Sequence, residues 1–357
     1  MSERPLELSA HASAYSRFRW LFCAWAASRA ITVLAWWAST HSRGARGFVS
    51  WDGAAYVSIA QHGYTNLTDT LFFPLFPWLS RSLTFGTLIS AETAAIVAAN
   101  VCALLAAWLI AKLCDECSIG GGTWAGVIWI VFPAAFVTVI PYPEGLTVCA
   151  TCATLIFALR RNWPMVGVFA LATTISRPTG FLIGVPLVLM AFQTDRRRIG
   201  AWMSLLGIPL GLFIYSRAVN GVGGLREILD QQRSVKRRGP VIDPLRAGWK
   251  ALDIGMSDRR LGPIIHVVTL TLVVTVLWVG WKLIPRSLWW YSAAMALVVF
   301  SASNLDSTER YALAIVPLFV VVGTVLDRVG PKRMIFGASV IAQGMYAYAT
   351  FRGHAVP

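Results

Sequence analysis

Charge is scarce in this sequence. Only 13% of its 357 residues are Asp, Glu, Lys or Arg, while 56% are hydrophobic. Mean hydropathy is +0.61. Soluble chains carry about twice that share of charge, so a soluble globular fold is excluded. Short alternating apolar segments, which a transmembrane β-barrel requires, are lacking too. No P-loop and no GxGxxG stretch occurs, so nothing points to nucleotide chemistry. There is no internal repeat and no low-complexity segment. No cleavable signal peptide is evident: residues 1–19 are polar and mixed, and the first apolar run, 20–38, is followed by Ser, His and Arg. It reads as a retained first span.

Acidic residues are the scarcer sign, 17 against 31 Lys and Arg. In so apolar a chain the excess implies basic cytoplasmic loops and contact with anionic membrane lipids, with no nucleic-acid partner. The six cysteines include two CxxC pairs, Cys114/Cys117 and Cys149/Cys152. The second lies inside an apolar helix and the first in a loop on the opposite membrane side, which argues against a shared metal site or a disulfide.

Long apolar runs are abundant. They place spans at 20–38, 90–112, 123–140, 145–160, 164–176, 179–193, 199–217, 263–283, 288–303, 311–327 and 334–350. The expected fold is an all-α polytopic membrane protein of about 10–11 transmembrane helices. Sixteen tryptophans suit its two membrane–water interfaces. The stretch 163–190, with "SRPTG" at its middle, fits one tilted helix or two short helices meeting at Pro178 and Gly180. Arg160 and Arg161 at one end and Arg196–Arg198 at the other favour the two-helix hairpin. The same rule puts 1–19, 112–122, 282–286 and 327–333 inside. It leaves 39–82, 141–145, 218–262 and 304–311 outside. Loop 218–262 is basic for an outer loop, but long loops obey the charge rule weakly. "LFFPLFPWLSRSLT" (71–84) is apolar but holds Pro74, Pro77 and Arg81, and reads as a re-entrant or juxtamembrane helix.

The stretch "FVSWDGAAYVSIAQHGYT" (48–65) places Asp52 behind a tryptophan just past the first span. Asp52 to His62 can form about three helical turns, with Asp52 at the helix start and Gly63 at its end. By itself this is a capped interfacial helix with a Trp anchor. The other outer acids change that reading. Trp51-Asp52, Tyr142-Pro143-Glu144 and Glu309-Arg310-Tyr311 each set a carboxylate beside an aromatic where a helix meets the outer surface. Asp69 and Asp306 lie in outer segments as well. Charges at such depth are costly unless paired or hydrated, and often mark a polar cavity. Arg177, in "TTISRPTGFLI", lies too deep to reach either interface. It either pairs with a helix carboxylate such as Glu144 or binds an anion, for which its planar fork suits phosphate. His62 and Asn100 are, as residue types in such positions, more often structural hydrogen-bonders than ligands or catalysts.

Sugar transfer from a lipid-phosphate carrier needs an outer carboxylate, buried arginines and broken apolar helices. The carrier tail lies in the bilayer, the phosphate leaves as an anion, and a carboxylate takes the proton of the acceptor hydroxyl. "WDGAAYVSIAQHGYT" followed by "FFPLFPWLSRSL" resembles the hallmark of the PIG-V-type mannosyltransferases, a family with many bacterial, notably actinobacterial, relatives. The resemblance continues through "PYPEGLT", "SRPTGFLIGVPLVL" and "STERYALAIVPLF". It implies a GT-C-like, inverting membrane enzyme that uses a polyprenyl-phosphate sugar on the non-cytoplasmic face of the bacterial plasma membrane, with its N-terminus cytoplasmic. Carried over, Asp52 is the catalytic carboxylate. Arg177, Arg310 and, more weakly, Arg81 meet the donor phosphate. Trp51, Tyr56, His62, Tyr64, Tyr142, Glu144 and Glu309 shape the substrate pocket. One membrane domain is expected over 1–357: a catalytic module at 1–217 with its first outer loop at 39–84, an outer loop at 218–262, and C-terminal helices at 263–357. The acceptor would be a glycolipid, glycan or protein. No cofactor is expected to be required; the outer loop lacks a compact DxD pair, which disfavours a divalent cation. Transport of a lipid-linked solute, or a scaffold role beside a partner transferase, remains a rival.

Overall fold

The computed structural model describes residues 4–40, 45–194, 196–234, 261–301 and 307–354. No strand occurs among them. A 36-residue helix, α1 (Arg4–Ser39), opens the chain. The first loop then carries α2 (Asp52–His62), a 3-10 turn (Leu67–Leu71) and α3 (Leu75–Ser82). The bundle continues with α4 (Ala91–Glu116), α5 (Gly122–Val131), α6 (Glu144–Leu159) and α7 (Trp163–Ser176). Then follow α8 (Gly184–Thr194), α9 (Ile199–Met203), α10 (Gly207–Ala218) and α11 (Leu225–Ser234). The C-terminal part holds α12 (Leu261–Gly280), α13 (Arg286–Phe300), α14 (Thr308–Ala312), α15 (Val316–Val329) and α16 (Lys332–Phe351).

Eleven of these helical columns overlay the apolar runs read from the sequence. Three are both long and apolar enough to cross a membrane unaided: Tyr15–Ser39, Ala91–Glu116 and Ile199–Ala218. Several others are shorter because the backbone breaks at proline. The Pro133–Thr138 turn ends the α5 column, and Pro178–Ile183 separates α7 from α8. At the second break a Cβ on Gly180 would lie 2.1 Å from the Thr173 carbonyl oxygen, so the chain folds back onto the last turn of α7. The 163–190 stretch is therefore two helices, not one tilted span.

Helix α4 forms the spine. Its buried face is a stripe of Ala94, Ala95, Ala98, Ala99, Ala103, Ala106, Ala107 and Ala111. Small residues let neighbouring backbones approach closely in a setting where dispersion, not water exclusion, holds helices together. A Cβ on Gly126 of α5 would sit 2.3 Å from Ala107 O, and one on Gly145 of α6 would sit 2.8 Å from Ala103 N. Ser90 caps α4 by accepting from Thr93 N–H at 3.2 Å, and Asn162 caps α7 by accepting from Met165 N–H at 3.4 Å. Cys114 and Cys117 lie at the C-terminal end of α4 rather than in a separate loop, and Cys149 of α6 donates to the Cys102 carbonyl at 3.1 Å. The described cysteines are free thiols.

The two ends of the bundle differ. At one end Arg17 pairs with Asp115 at 2.5 Å, and Arg160 pairs with Glu116. At the other end lie α2, the start of α6, the break after α7, and α14. The start of loop 218–262 joins this second end: Tyr215 stacks on Phe73 at 4.2 Å and donates to Thr70 O at 2.5 Å, while Leu67 packs beside Gly223. Residues 235–260 of that loop, and Asp306, lie outside the described residues.

Candidate active site

Asp52 begins α2, directly after Trp51, whose φ of 53° is unusual for a bulky side chain. Ser307, just before α14, also has a positive φ, 55°, in the left-handed helical region. Such positions cost of order 1–3 kcal/mol each and persist only where the surroundings hold them. Here each turn aims a charged helix at the same point. Gly53 makes the approach of α2 possible, since a Cβ there would meet Pro141 Cγ at 3.0 Å and Tyr142 Cε2 at 3.3 Å.

Four charges meet. Arg310 Nη1 donates to Asp52 Oδ2 at 2.6 Å. Its Nε lies 3.6 Å from Glu144 Oε1, and Arg177 Nη1 lies 3.2 Å from the same oxygen. The order is Asp52, Arg310, Glu144, Arg177, with alternating sign and no net charge. Glu144 is 1% exposed, whereas the Asp52 side chain is 39% exposed. The row thus runs from an open carboxylate into a closed interior. Glu144 occupies the first turn of α6, where the helix dipole favours an anion. Arg177 follows the last residue of α7 in extended backbone, φ −163°, and so points away from the helix it ends.

Aromatic rings line the row. The Arg177 guanidinium lies 4.6 Å from the Tyr311 ring centre. The Arg310 guanidinium lies 5.2 Å from Tyr311 and 5.3 Å from the fully buried Tyr142. A desolvated cation–π contact contributes about 2 kcal/mol, so these rings help hold two cations in an apolar interior. Both Glu144 oxygens, Arg177 Nη1 and Arg310 Nε are buried and make no hydrogen bond of good geometry among the described residues. Their pairing is ionic, and these atoms retain capacity for hydrogen bonding.

The other sequence candidates scatter. Trp51 lies against Phe351, ring centres 6.0 Å apart. Tyr56 is buried edge-on to Phe72 at 5.0 Å and Phe76 at 5.4 Å, so it cements α2 to α3. Tyr64 donates to Phe72 O at 2.8 Å, and burial raises its phenol pKa well above the ordinary value. His62 is exposed in the last turn of α2. Arg81, exposed at the end of α3, lines a shallow groove with Gln61, Thr84 and Ser90, apart from the charge row. Glu309 turns away from Arg310: its Oε1 meets His266 Nδ1 at 2.7 Å, and its Oε2 accepts from Tyr346 at 3.2 Å. Asp69 accepts from Thr65 N–H at 2.9 Å and Asn66 N–H at 3.1 Å, as part of the cap on its own turn.

Sequence reasoning passed over Tyr311 as a ring shared by two arginines. Its only signal was its place beside Arg310. Arg29, a cation inside the first span, was passed over as well; a charge in so apolar a run was itself the signal. Among the described residues no group of three or more His, Cys, Asp or Glu is arranged to hold a metal ion.

Neither a family model nor a curated protein sequence matches the chain. Among solved structures, ArnT from Cupriavidus metallidurans bound to undecaprenyl phosphate is similar in fold. The match has a TM-score of 0.54 and 15% identity, and covers 90% of this chain and 75% of that one. The chain has a GT-C-like fold. It is an integral, all-α polytopic membrane protein, and its charge row lies at one end of the bundle.

Proposed function

We propose that the chain is a membrane glycosyltransferase that moves mannose from a polyprenyl-phosphate carrier to an acceptor hydroxyl, with inversion. One observation carries the reading: a half-exposed carboxylate, Asp52, paired directly with buried Arg310, which Glu144 links to buried Arg177. Two findings support it. The similar structure of ArnT was solved bound to undecaprenyl phosphate. The "WDGAAYVSIAQHGYT" and "FFPLFPWLSRSL" stretches resemble the PIG-V-type mannosyltransferases and so favour mannose.

The acceptor oxygen attacks the anomeric carbon, the bond from that carbon to the phosphate oxygen breaks, and Asp52 takes the hydroxyl proton. The leaving phosphate gains one negative charge. Arg310 and Arg177 neutralise it in a water-poor setting, where fixed charges act most strongly. In the free protein Arg310 is engaged by Asp52. A donor phosphate that draws Arg310 toward itself leaves the carboxylate free to accept a proton. Two guanidinium groups provide the positive charge, so the reading invokes no metal or other cofactor. The aromatic lining by Tyr142 and Tyr311 fits a sugar beside the phosphate.

The test is transfer by purified protein in nanodiscs, with radiolabelled polyprenyl-phosphate mannose and host membrane lipids, glycans and proteins as acceptors. Wild type should label a new product. Asp52→Asn should slow transfer roughly 10²–10³-fold, or about 3–4 kcal/mol, with donor binding retained. Donor binding without transfer in the wild type would instead favour a transporter or scaffold. Turnover of Asp52→Asn near wild type would remove Asp52 as the base.

A further inference from the structure

We infer that Arg29 and Asn100 are positioning residues: they clamp the backbone that presents Tyr142 and Glu144 to α2. The inference rests on the reading above. Arg29 lies within α1, in a span long enough to cross the membrane. Among the described residues its guanidinium has no carboxylate partner. Apart from a 3.3 Å bond to Ser28 Oγ on its own helix, its hydrogen bonds go to Thr138 and to Asn100. Nη2 donates to both the carbonyl and the hydroxyl oxygen of Thr138 at 3.1 Å, and Nε donates to Asn100 Oδ1 at 2.9 Å. Asn100 Nδ2 in turn donates to Val139 O at 2.9 Å and to Ile96 O at 2.8 Å. Trp25 completes the knot: its ring lies 5.0 Å from the guanidinium and its Nε1 donates to Asn100 O at 2.9 Å.

Thr138 and Val139 end the Pro133–Thr138 turn, and their carbonyls form the negative end of its dipole. A cation there replaces the missing helical donors. From Val139 the chain runs directly into Pro141 and Tyr142, which touch Gly53, and then into Glu144. The clamp therefore joins α1 and α4 to the loop that sets the distance between Asp52 and Glu144. Two successive carbonyls at the root of that loop are thus held by two linked side chains, Thr138 O by Arg29 and Val139 O by Asn100, a grip that helix packing alone does not require.

Two variants separate these roles. Arg29→Lys keeps the charge but cannot make all three bonds. Asn100→Asp keeps an acceptor for Arg29 and loses the donors to Val139 O and Ile96 O. Both are assayed as full-length protein in nanodiscs for amide hydrogen exchange, donor KM, and kcat per folded molecule. Exchange should rise about tenfold or more at Tyr142 and Thr147, whose amides bond Ile140 O and Pro143 O, and stay unchanged in α7 and α13. kcat should fall about tenfold or more, while donor KM stays within about threefold. Unchanged local exchange overturns the clamp. Faster exchange with unchanged kcat overturns the positioning role, as does uniformly faster exchange across the bundle. If the wild type transfers no sugar, the functional reading fails, and the exchange measurement still decides the clamp.

Discussion

Glu144 is the side chain on which the charge row depends. It lies fully buried between two guanidinium groups, so neutralising it leaves Arg177 without its carboxylate and Arg310 with Asp52 alone. Removing one partner of a buried pair costs about 3–5 kcal/mol, because the remaining charge stays desolvated. Glu144→Gln should lower thermal stability in nanodiscs accordingly. Glu144→Gln with Arg177→Gln should be less destabilised than the sum of the two single variants, since the double variant buries no orphaned partner. Strict additivity would mean that the pair is not coupled. Why this row was legible in the sequence follows from the same cost: in so apolar a chain, a carboxylate and an arginine flanked by apolar residues must find each other. Arg177 was expected either to pair with Glu144 or to bind an anion, and it lies 3.2 Å from Glu144. Glu309 was not legible. Adjacent helical residues point about 100° apart, so proximity to Arg310 in sequence did not bring Glu309 to the same site. Its partner His266 comes from a distant helix and carried no local signal.

At the scale of the helices, close backbone approach positions the site as much as charge does. Gly145, next to Glu144, packs against Ala103 of α4 with room for no side chain. Gly126 makes the same contact from α5, remote from the charge row. A methyl at either position meets backbone, which cannot rotate away, and overpacking of this kind costs about 1–3 kcal/mol. Gly145→Ala should reduce both thermal stability and kcat per folded molecule, because α6 carries Glu144 with it. Gly126→Ala should reduce stability and leave kcat per folded molecule near wild type. Equal kcat in the two variants would show that helix spacing at α6 does not set the site. The helices themselves were readable as apolar runs, and Gly63, Pro178 and Gly180 announced their breaks. The Pro133–Thr138 turn was not, because "FPAAFVTVI" is as apolar as the helix before it. Its end becomes visible only where Arg29 and Asn100 reach its carbonyls.

For the whole molecule the decisive feature is polarity along the bundle axis. Asp52, Glu144, Arg177 and Arg310 gather at one end, while Arg17, Asp115, Glu116 and Arg160 gather at the other. The alternation of the spans foretold this division. The assignment of basic loop 218–262 to the end holding Asp52 went against the charge rule. The packing of Tyr215 on Phe73 and of Leu67 beside Gly223 places the start of that loop there. A short contact outweighs loop composition because long loops cross membranes largely regardless of charge. Which end faces the cell exterior is a separate matter, and basic residues near the chain's N-terminus predict that the end holding Asp52 is outside. Single cysteines at the exposed positions Gln61 and Arg81 in a cysteine-free background should react with a membrane-impermeant maleimide in intact cells. Cysteines at Lys112 and Arg328 should react only after the membrane is permeabilised. The reverse pattern would put the charge row on the cytoplasmic side, where the donor would have to present its sugar from the inner leaflet. Labelling of all four positions in intact cells would contradict the membrane-spanning arrangement of α4 and α15, near whose C-terminal ends Lys112 and Arg328 lie.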